Sequence, residues 1–174
     1  FCDRSGIMWV GSNGLDKYNP RKEKFTLFDY VPYSREKLIF RNIHPIYDDG
    51  TGVLWVGSKS DGLHRLDREN NQYQHITHQE GNTNSLASNH VRAIREYPRG
   101  TLWIGTDDMG LTKIVLDNAR KPSRFSHFKS NPLQGNSLTS NTIYSIYPGA
   151  DGKLWIGTDN GLTIMDPVKE TFVQ

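Results

Sequence analysis

Trp9-Val10-Gly11-Ser12, Trp55-Val56-Gly57-Ser58, Trp103-Ile104-Gly105-Thr106 and Trp155-Ile156-Gly157-Thr158 place all four tryptophans of the chain in one tetrapeptide frame. The spacings are 46, 48 and 52 residues. Each tryptophan follows Met or Leu (Met8, Leu54, Leu102, Leu154) and has a glycine three positions before it (Gly6, Gly52, Gly100, Gly152). A Gly-Leu pair then follows each: Gly14-Leu15, Gly62-Leu63, Gly110-Leu111 and Gly161-Leu162. Four coincident copies of so long a pattern define an internal repeat. A period of about 40–50 residues belongs to stacked or radial repeat architectures.

The unit reads as four short strands. Val91-Arg92-Ala93-Ile94 and Ile143-Tyr144-Ser145-Ile146 are β-branched at both ends, and 43–46 matches them. After a turn of Gly, Asp and Pro comes the Leu-Trp-Ile-Gly-Thr run, apolar at consecutive positions as a strand buried on both faces should be. A second turn rich in Asp, Asn and Gly leads to the Gly-Leu-x-x-apolar segments 63–66, 111–114 and 162–165. The fourth strand is aromatic-x-x-apolar at 25–28, 73–76 and 125–128, with Phe172 near the end. No stretch sustains a 3.6-residue period, so the fold is all-β. Four-stranded antiparallel sheets repeating at this interval are β-propeller blades. One such sheet cannot cover both its faces, whereas stacking blades around an axis can. Trp9, Trp55, Trp103 and Trp155 are then the structural core between blades, and the glycine after each admits a close approach. The repeats run approximately 1–33 (an incomplete blade), 34–80, 81–131 and 132–174, about four blades forming part of a larger propeller.

The unit Asn-Ser-Leu-x-x-Asn-x-Val-x-x-Ile, then Gly-x-Leu-Trp-Ile-Gly-Thr, then Gly-Leu resembles the two-component-regulator propeller repeat. That family forms the sensory region of large hybrid histidine kinases of Bacteroides-type bacteria. The best copies are 84–111 and 136–162. The family usually places an Asp three residues after the Ile that ends strand one; Asp3 and Asp49 fit, whereas Tyr97 and Gly149 replace it. The segment 34–42 keeps only Leu38 of the Asn-Ser-Leu signature. The resemblance implies a periplasmic segment of an inner-membrane sensor that responds to glycans or their breakdown products. It implies no catalysis here, since the kinase parts of such proteins are not in this sequence. No Trp-Asp dipeptide or Gly-Gly pair supports the WD or kelch families. Propeller lyases with Gly-x-Leu-Trp repeats are the closer competitor.

Composition agrees. Lys and Arg number 21 against 19 Asp and Glu, and a net charge of +2 without a basic block argues against nucleic acid as a partner. The longest apolar run is four residues, so no segment here contacts the membrane by spanning it. A lone Cys2 excludes a disulfide framework. A start at Phe1 without a leader reads as a piece of a longer polypeptide.

Conventional active-site motifs are lacking, and neither a cofactor nor a metal site is expected. His75-x-x-His78 straddles a strand end, where positions three apart face oppositely. The acidic turns lack the alternating-oxygen spacing of a calcium loop and suit tight turns instead. Binding residues concentrate on loops held by a rigid scaffold. In a blade, the turn between strands two and three shares a face with the loop entering the next blade. The candidate ligand or partner face therefore comprises Asn13, Lys59, Asp61, Asp107, Asp108, Met109, Asp159 and Asn160, with the loops 78–90 and 129–142. Two readings from different classes stay open: a sensory or protein-interaction module, with an oligosaccharide as ligand, and a propeller lyase. No catalytic acid or His recurs on strand one, which favours the sensor. An open arc would leave Met8, Val10 and Leu15 at one end and Leu154, Ile156 and Leu162 at the other in water. Its partners are then neighbouring blades of the parent chain or a second copy of the segment.

Overall fold

The computed structural model describes residues 1–4, 6–11, 15–19, 24–28 and 42–173. They form fifteen β-strands and no helix, so none is long and apolar enough to cross a membrane. Blade 1 is a three-stranded sheet of β1 (Met8–Gly11), β2 (Leu15–Asn19) and β3 (Lys24–Phe28). Blade 2 is β4 (Ile43–Asp48), β5 (Val53–Ser58), β6 (Leu63–Asp67) and β7 (Gln72–Ile76). Blade 3 is β8 (Val91–Glu96), β9 (Thr101–Thr106), β10 (Leu111–Leu116) and β11 (Pro122–Phe128). Blade 4 is β12 (Ile143–Pro148), β13 (Leu154–Thr158), β14 (Gly161–Asp166) and β15 (Thr171–Val173). Every sheet is an antiparallel meander in sequence order. In blade 1 an isolated bridge between Cys2 and Met8 stands where a full first strand stands elsewhere. The first strand of each complete blade carries a register irregularity near its start, as between Val91 and Ala93.

Strand two of each blade divides its residues between two interfaces. Trp9 and Leu15 of blade 1 pack against Ile43, Leu54 and Val56 of blade 2. Trp55 and Leu63 of blade 2 pack against Val91, Leu102 and Ile104 of blade 3. Trp103 and Leu111 of blade 3 pack against Ile143, Leu154 and Ile156 of blade 4. The apolar run is thus continuous because its tryptophan faces the next blade while the residues flanking it face the previous one. The glycine after the tryptophan is the contact point. A Cβ on Gly57 would lie 2.5 Å from Val91 Cγ1, and one on Gly105 2.5 Å from Ile143 Cγ2. The atoms that come close are the β-branched side chains that open the next blade's first strand, not its backbone.

Trp9, Trp55 and Trp103 are at most 2% exposed, but Trp155 is 38% exposed and is not a buried core residue. Its face would receive a following blade, and among the described elements none packs there. The uncovered ends differ from the expectation in a regular way. Leu15, Leu154 and Ile156 are fully buried because they point into the array. The residues that meet water are Met8 and Val10 at one end and Tyr144, Tyr147, Trp155 and Leu162 at the other.

An acidic residue six positions before the tryptophan explains part of the repeat. Trp9 Nε1 donates to Asp3 Oδ2 at 2.9 Å. In blade 3, where Tyr97 holds this position, Trp103 Nε1 donates to the Tyr97 carbonyl instead. In blade 2 the carboxylate of Asp49 is engaged by Thr51 and Arg120, and Trp55 Nε1 finds no acceptor among the described residues.

Candidate functional site

The turns between strands two and three are set by the last residue of the tetrapeptide and by the glycine before Leu. Thr106 Oγ1 donates to the Gly110 carbonyl at 2.8 Å and accepts from the Met109 amide at 3.0 Å. Thr158 makes the same pair with Gly161 and Asn160, and Ser58 Oγ accepts from the Asp61 amide. Gly62, Gly110 and Gly161 take positive φ of 78°, 78° and 95°, the left-handed region that favours glycine.

These turns and the inter-blade loops form one rim. Asn42 accepts from the Lys59 amide, Asn89 from Gly62 and His90 from Asp107, each through its backbone carbonyl. Thr142 accepts from the Asp159 amide and donates its hydroxyl to the Asp107 carbonyl, tying blade 3 to blade 4. Lys59, Asp61, Asp107, Asp108, Met109, Asp159 and Asn160 therefore lie along one edge of the array; Asn13 lies outside the described residues. Several of the acids have partners. The Arg92 guanidinium lies 2.6 Å from Asp107, and His90 Nδ1 lies 3.5 Å from Asp108 Oδ2. Lys59, Asp159 and Asn160 are exposed.

The Asn-Ser-Leu signature proves to be scaffolding for this rim. Asn84 Oδ1 accepts the Phe125 amide, and Asn136 Oδ1 accepts the Phe172 amide, each at 3.1 Å. Ser85 and Ser137 close their loops through hydroxyl contacts, while Leu86 and Leu138 are buried beneath. Asn89 Oδ1 accepts the His78 amide and Asn141 Oδ1 the Ser130 amide, fixing where each loop begins and ends. Beside the first loop lies an open cleft of about 200 Å³ lined by Gln79, Asn82, Leu86, Met109, His127 and Lys129, among others. His78 and His127 sit in its wall, each with a ring nitrogen bonded to a loop carbonyl, of Leu86 and Ser85 respectively.

One cluster escaped the sequence reading. His64 on β6 stands directly opposite His75 on β7, and Asp61 in the preceding turn reaches both. The imidazoles stack with centroids 4.6 Å apart and planes 5° from parallel. Burial, with the neighbouring His75 adding to it, pushes His64 from 6.5 down to about 3, so its ring is neutral. Pairing the apolar ends Leu63 and Ile76 of the two strands would have set the histidines opposite one another. The His75-x-x-His78 spacing runs along one strand, whereas the cluster forms across two.

Comparison with known proteins agrees with these repeats. Residues 85–108 and 137–160 match the family model described as "Two component regulator propeller". Among solved structures, the chain resembles two extracellular domains described as belonging to hybrid two component systems of B. thetaiotaomicron. The first has a TM-score of 0.72 at 23% identity, covering 94% of this chain and 20% of that one. The second has a TM-score of 0.64 at 21% identity, covering 99% and 29%. PorZ, a surface component of the type-IX secretion system of Porphyromonas gingivalis, gives 0.70 at 16% identity, covering 99% and 26%. No curated protein matches the chain. The chain spans less than a third of the length of each of these structures, and the likeness shows the fold.

Proposed function

We propose that this chain, which carries two copies of the two-component-regulator propeller repeat, is a run of blades in the extracytoplasmic sensory propeller of a two-component signalling protein. The observation that carries the reading is blade 4. Its outer face presents Tyr147, Trp155 and Leu162 to water at the positions where Tyr47, Trp55 and Leu63 of blade 2 are packed against blade 3. A face so patterned is made to receive a neighbouring blade.

Within that propeller the role of the segment is binding, not turnover. The rim of turns and ordered loops is the surface on which a ligand or partner is met, and the cleft bounded by Met109 and Lys129 is a recess in it. At about 200 Å³ it is smaller than the usual pocket for a drug-sized molecule, so it suits one end of an extended ligand. The repeat family suggests an oligosaccharide or a glycan breakdown product, sensed in the periplasm.

Calorimetric titration of the chain with a panel of oligosaccharides tests the ligand class. Binding that Met109→Ala and Lys129→Ala both weaken supports the reading. Binding unaffected by either variant moves the site off this cleft, and no carbohydrate binding by any member rejects the glycan assignment for this segment.

A further inference from the structure

Asp61, His64 and His75 have the make-up and spacing of a metal site. His64 Nε2 lies 3.4 Å from Asp61 Oδ2, and His75 Nε2 lies 3.5 Å from Asp61 Oδ1. Two ligands about 2.1 Å from a tetrahedral zinc ion sit about 3.4 Å from each other, so the carboxylate already stands at ligand distance from both imidazoles. All three donor atoms fall within 4.8 Å of one another.

The surroundings suit ligation. Metal-bound imidazoles commonly hold a hydrogen-bond partner on the other ring nitrogen, which fixes the tautomer. His64 Nδ1 has one, 2.8 Å from the Tyr73 hydroxyl. In the tautomer that donates from Nδ1 to Tyr73, the Nε2 that faces Asp61 is the acceptor nitrogen a metal would take. His64 is 1% exposed, so its ring is held in place by the packing around it. The side chains of His75 and Asp61 are 37% and 44% exposed, which gives an ion its entry path and a solvent-facing fourth position. His75 Nε2 lies 2.6 Å from the Asp61 carbonyl and donates to it when protonated there. On metal binding that proton moves to Nδ1, and the exposed ring tilts toward its partner.

We propose that Asp61, His64 and His75 bind one zinc ion, closing the turn between β5 and β6 onto the β6–β7 hairpin at the rim of blade 2. Two imidazole nitrogens and one carboxylate oxygen select a borderline transition ion over magnesium or calcium, which require oxygen ligands. The sequence led to the opposite expectation because the three residues come from a turn and two strands.

The test uses tag-free chain, stripped with EDTA and dialysed, then titrated with zinc chloride by calorimetry and followed by thermal melting. The expected result is one zinc ion per chain, with a raised melting temperature that calcium and magnesium chloride do not reproduce. His75→Ala and Asp61→Asn, both at exposed positions, should each lower zinc affinity by at least about tenfold, the minimum expected when even an outer partner of a metal ligand is lost. His78→Ala should leave it unchanged. No zinc bound by the wild-type chain overturns the proposal, as does equal affinity in wild type and His75→Ala.

Discussion

Arg120 of blade 3 holds Asp49 of blade 2 across the blade boundary, Nε to Oδ2, at 2.8 Å. The rest of its guanidinium forks onto Glu96 of its own blade at 2.7 and 2.8 Å. Arg68 repeats the device one blade earlier. It bridges Asp3 of blade 1 at 2.9 Å and Asp48 of its own blade at 2.8 Å. Each arginine stands in the turn between strands three and four; one of its acids lies ahead of strand two of the preceding blade, and the other ends strand one of its own blade. Flat packing between sheets is non-directional, so these clamps fix how one blade is set against the next.

Removing the arginine leaves two acids buried without their cation, since the side chains of Asp49 and Glu96 are 0% and 5% exposed. Arg120→Ala should therefore cost about 3–5 kcal/mol, the range for breaking a buried pair from one side. Urea unfolding at neutral pH measures it. A loss no larger than that of an exposed Arg→Ala would show that the clamp carries no stability.

The same site predicts a dependence on acid. Burial pushes the Asp49 carboxyl up, but hydrogen bonds from the Thr51 hydroxyl and amide and from Arg120 outweigh it and hold Asp49 below its ordinary 3.8. A carboxyl depressed in the folded state stabilises the fold above its unfolded pKa, and that contribution is lost as pH falls through the folded value. Acid unfolding followed by tryptophan fluorescence should begin at higher pH in Thr51→Val than in wild type. Coincident acid transitions would refute the role of the Thr51 hydroxyl.

Trp103 and Trp155 share a tetrapeptide frame but not an environment. Trp103→Ala should cost about 3–5 kcal/mol, as truncation of a buried aromatic does. Trp155→Ala should cost markedly less in chain dilute enough to be monomeric, because there that ring is already 38% exposed. Equal losses in denaturant unfolding would mean that the outer face of blade 4 is covered in solution.

Gly105→Ala should destabilise by about 1–3 kcal/mol, the usual range for overpacking. The new methyl meets Ile143 Cγ2 and Cβ and the Cβ of Ala93, and it cannot be placed without moving blade 4. Gly157→Ala is the matched control. Its methyl meets only the Ser145 hydroxyl, the mobile end of a small side chain. Similar melting temperatures for the two variants would show that the glycine is not a blade contact.

The blades were legible because the repeat is written in residues whose jobs recur. The tryptophan fills each interface, the glycine admits Ile or Val from the next blade, and Ser or Thr caps the following turn. What the sequence left hidden lies in pairings between distant positions. Arg68 and Arg120 belong to no repeated motif, yet both meet an acid from the blade before. His64 and His75 meet only through strand register. At the uncovered ends Met8, Val10 and Leu162 meet water as the repeat predicts, whereas Leu15, Leu154 and Ile156 do not, because adjacent residues of one strand face different neighbours. Leu154 and Ile156 look inward, and Trp155 between them looks out.

One edge of the array exposes Met8 and Val10, and the other exposes Tyr144, Tyr147, Trp155 and Leu162. Exposed aromatic and aliphatic side chains at the open ends of a repeat array are buried against a partner when one is at hand. In a longer propeller further blades would cover it; for the chain alone, a second copy is the available partner. Two arcs facing one another would make a ring of about eight blades, within the range in which propellers close. Light scattering at tens of micromolar should therefore give a mass above that of one chain. The double variant Tyr147→Glu/Trp155→Glu, which puts charges where the neighbouring blade would sit, should return it to one-chain mass with blades 1–3 still folded. A monodisperse wild-type monomer at that concentration would rule out self-association through these ends.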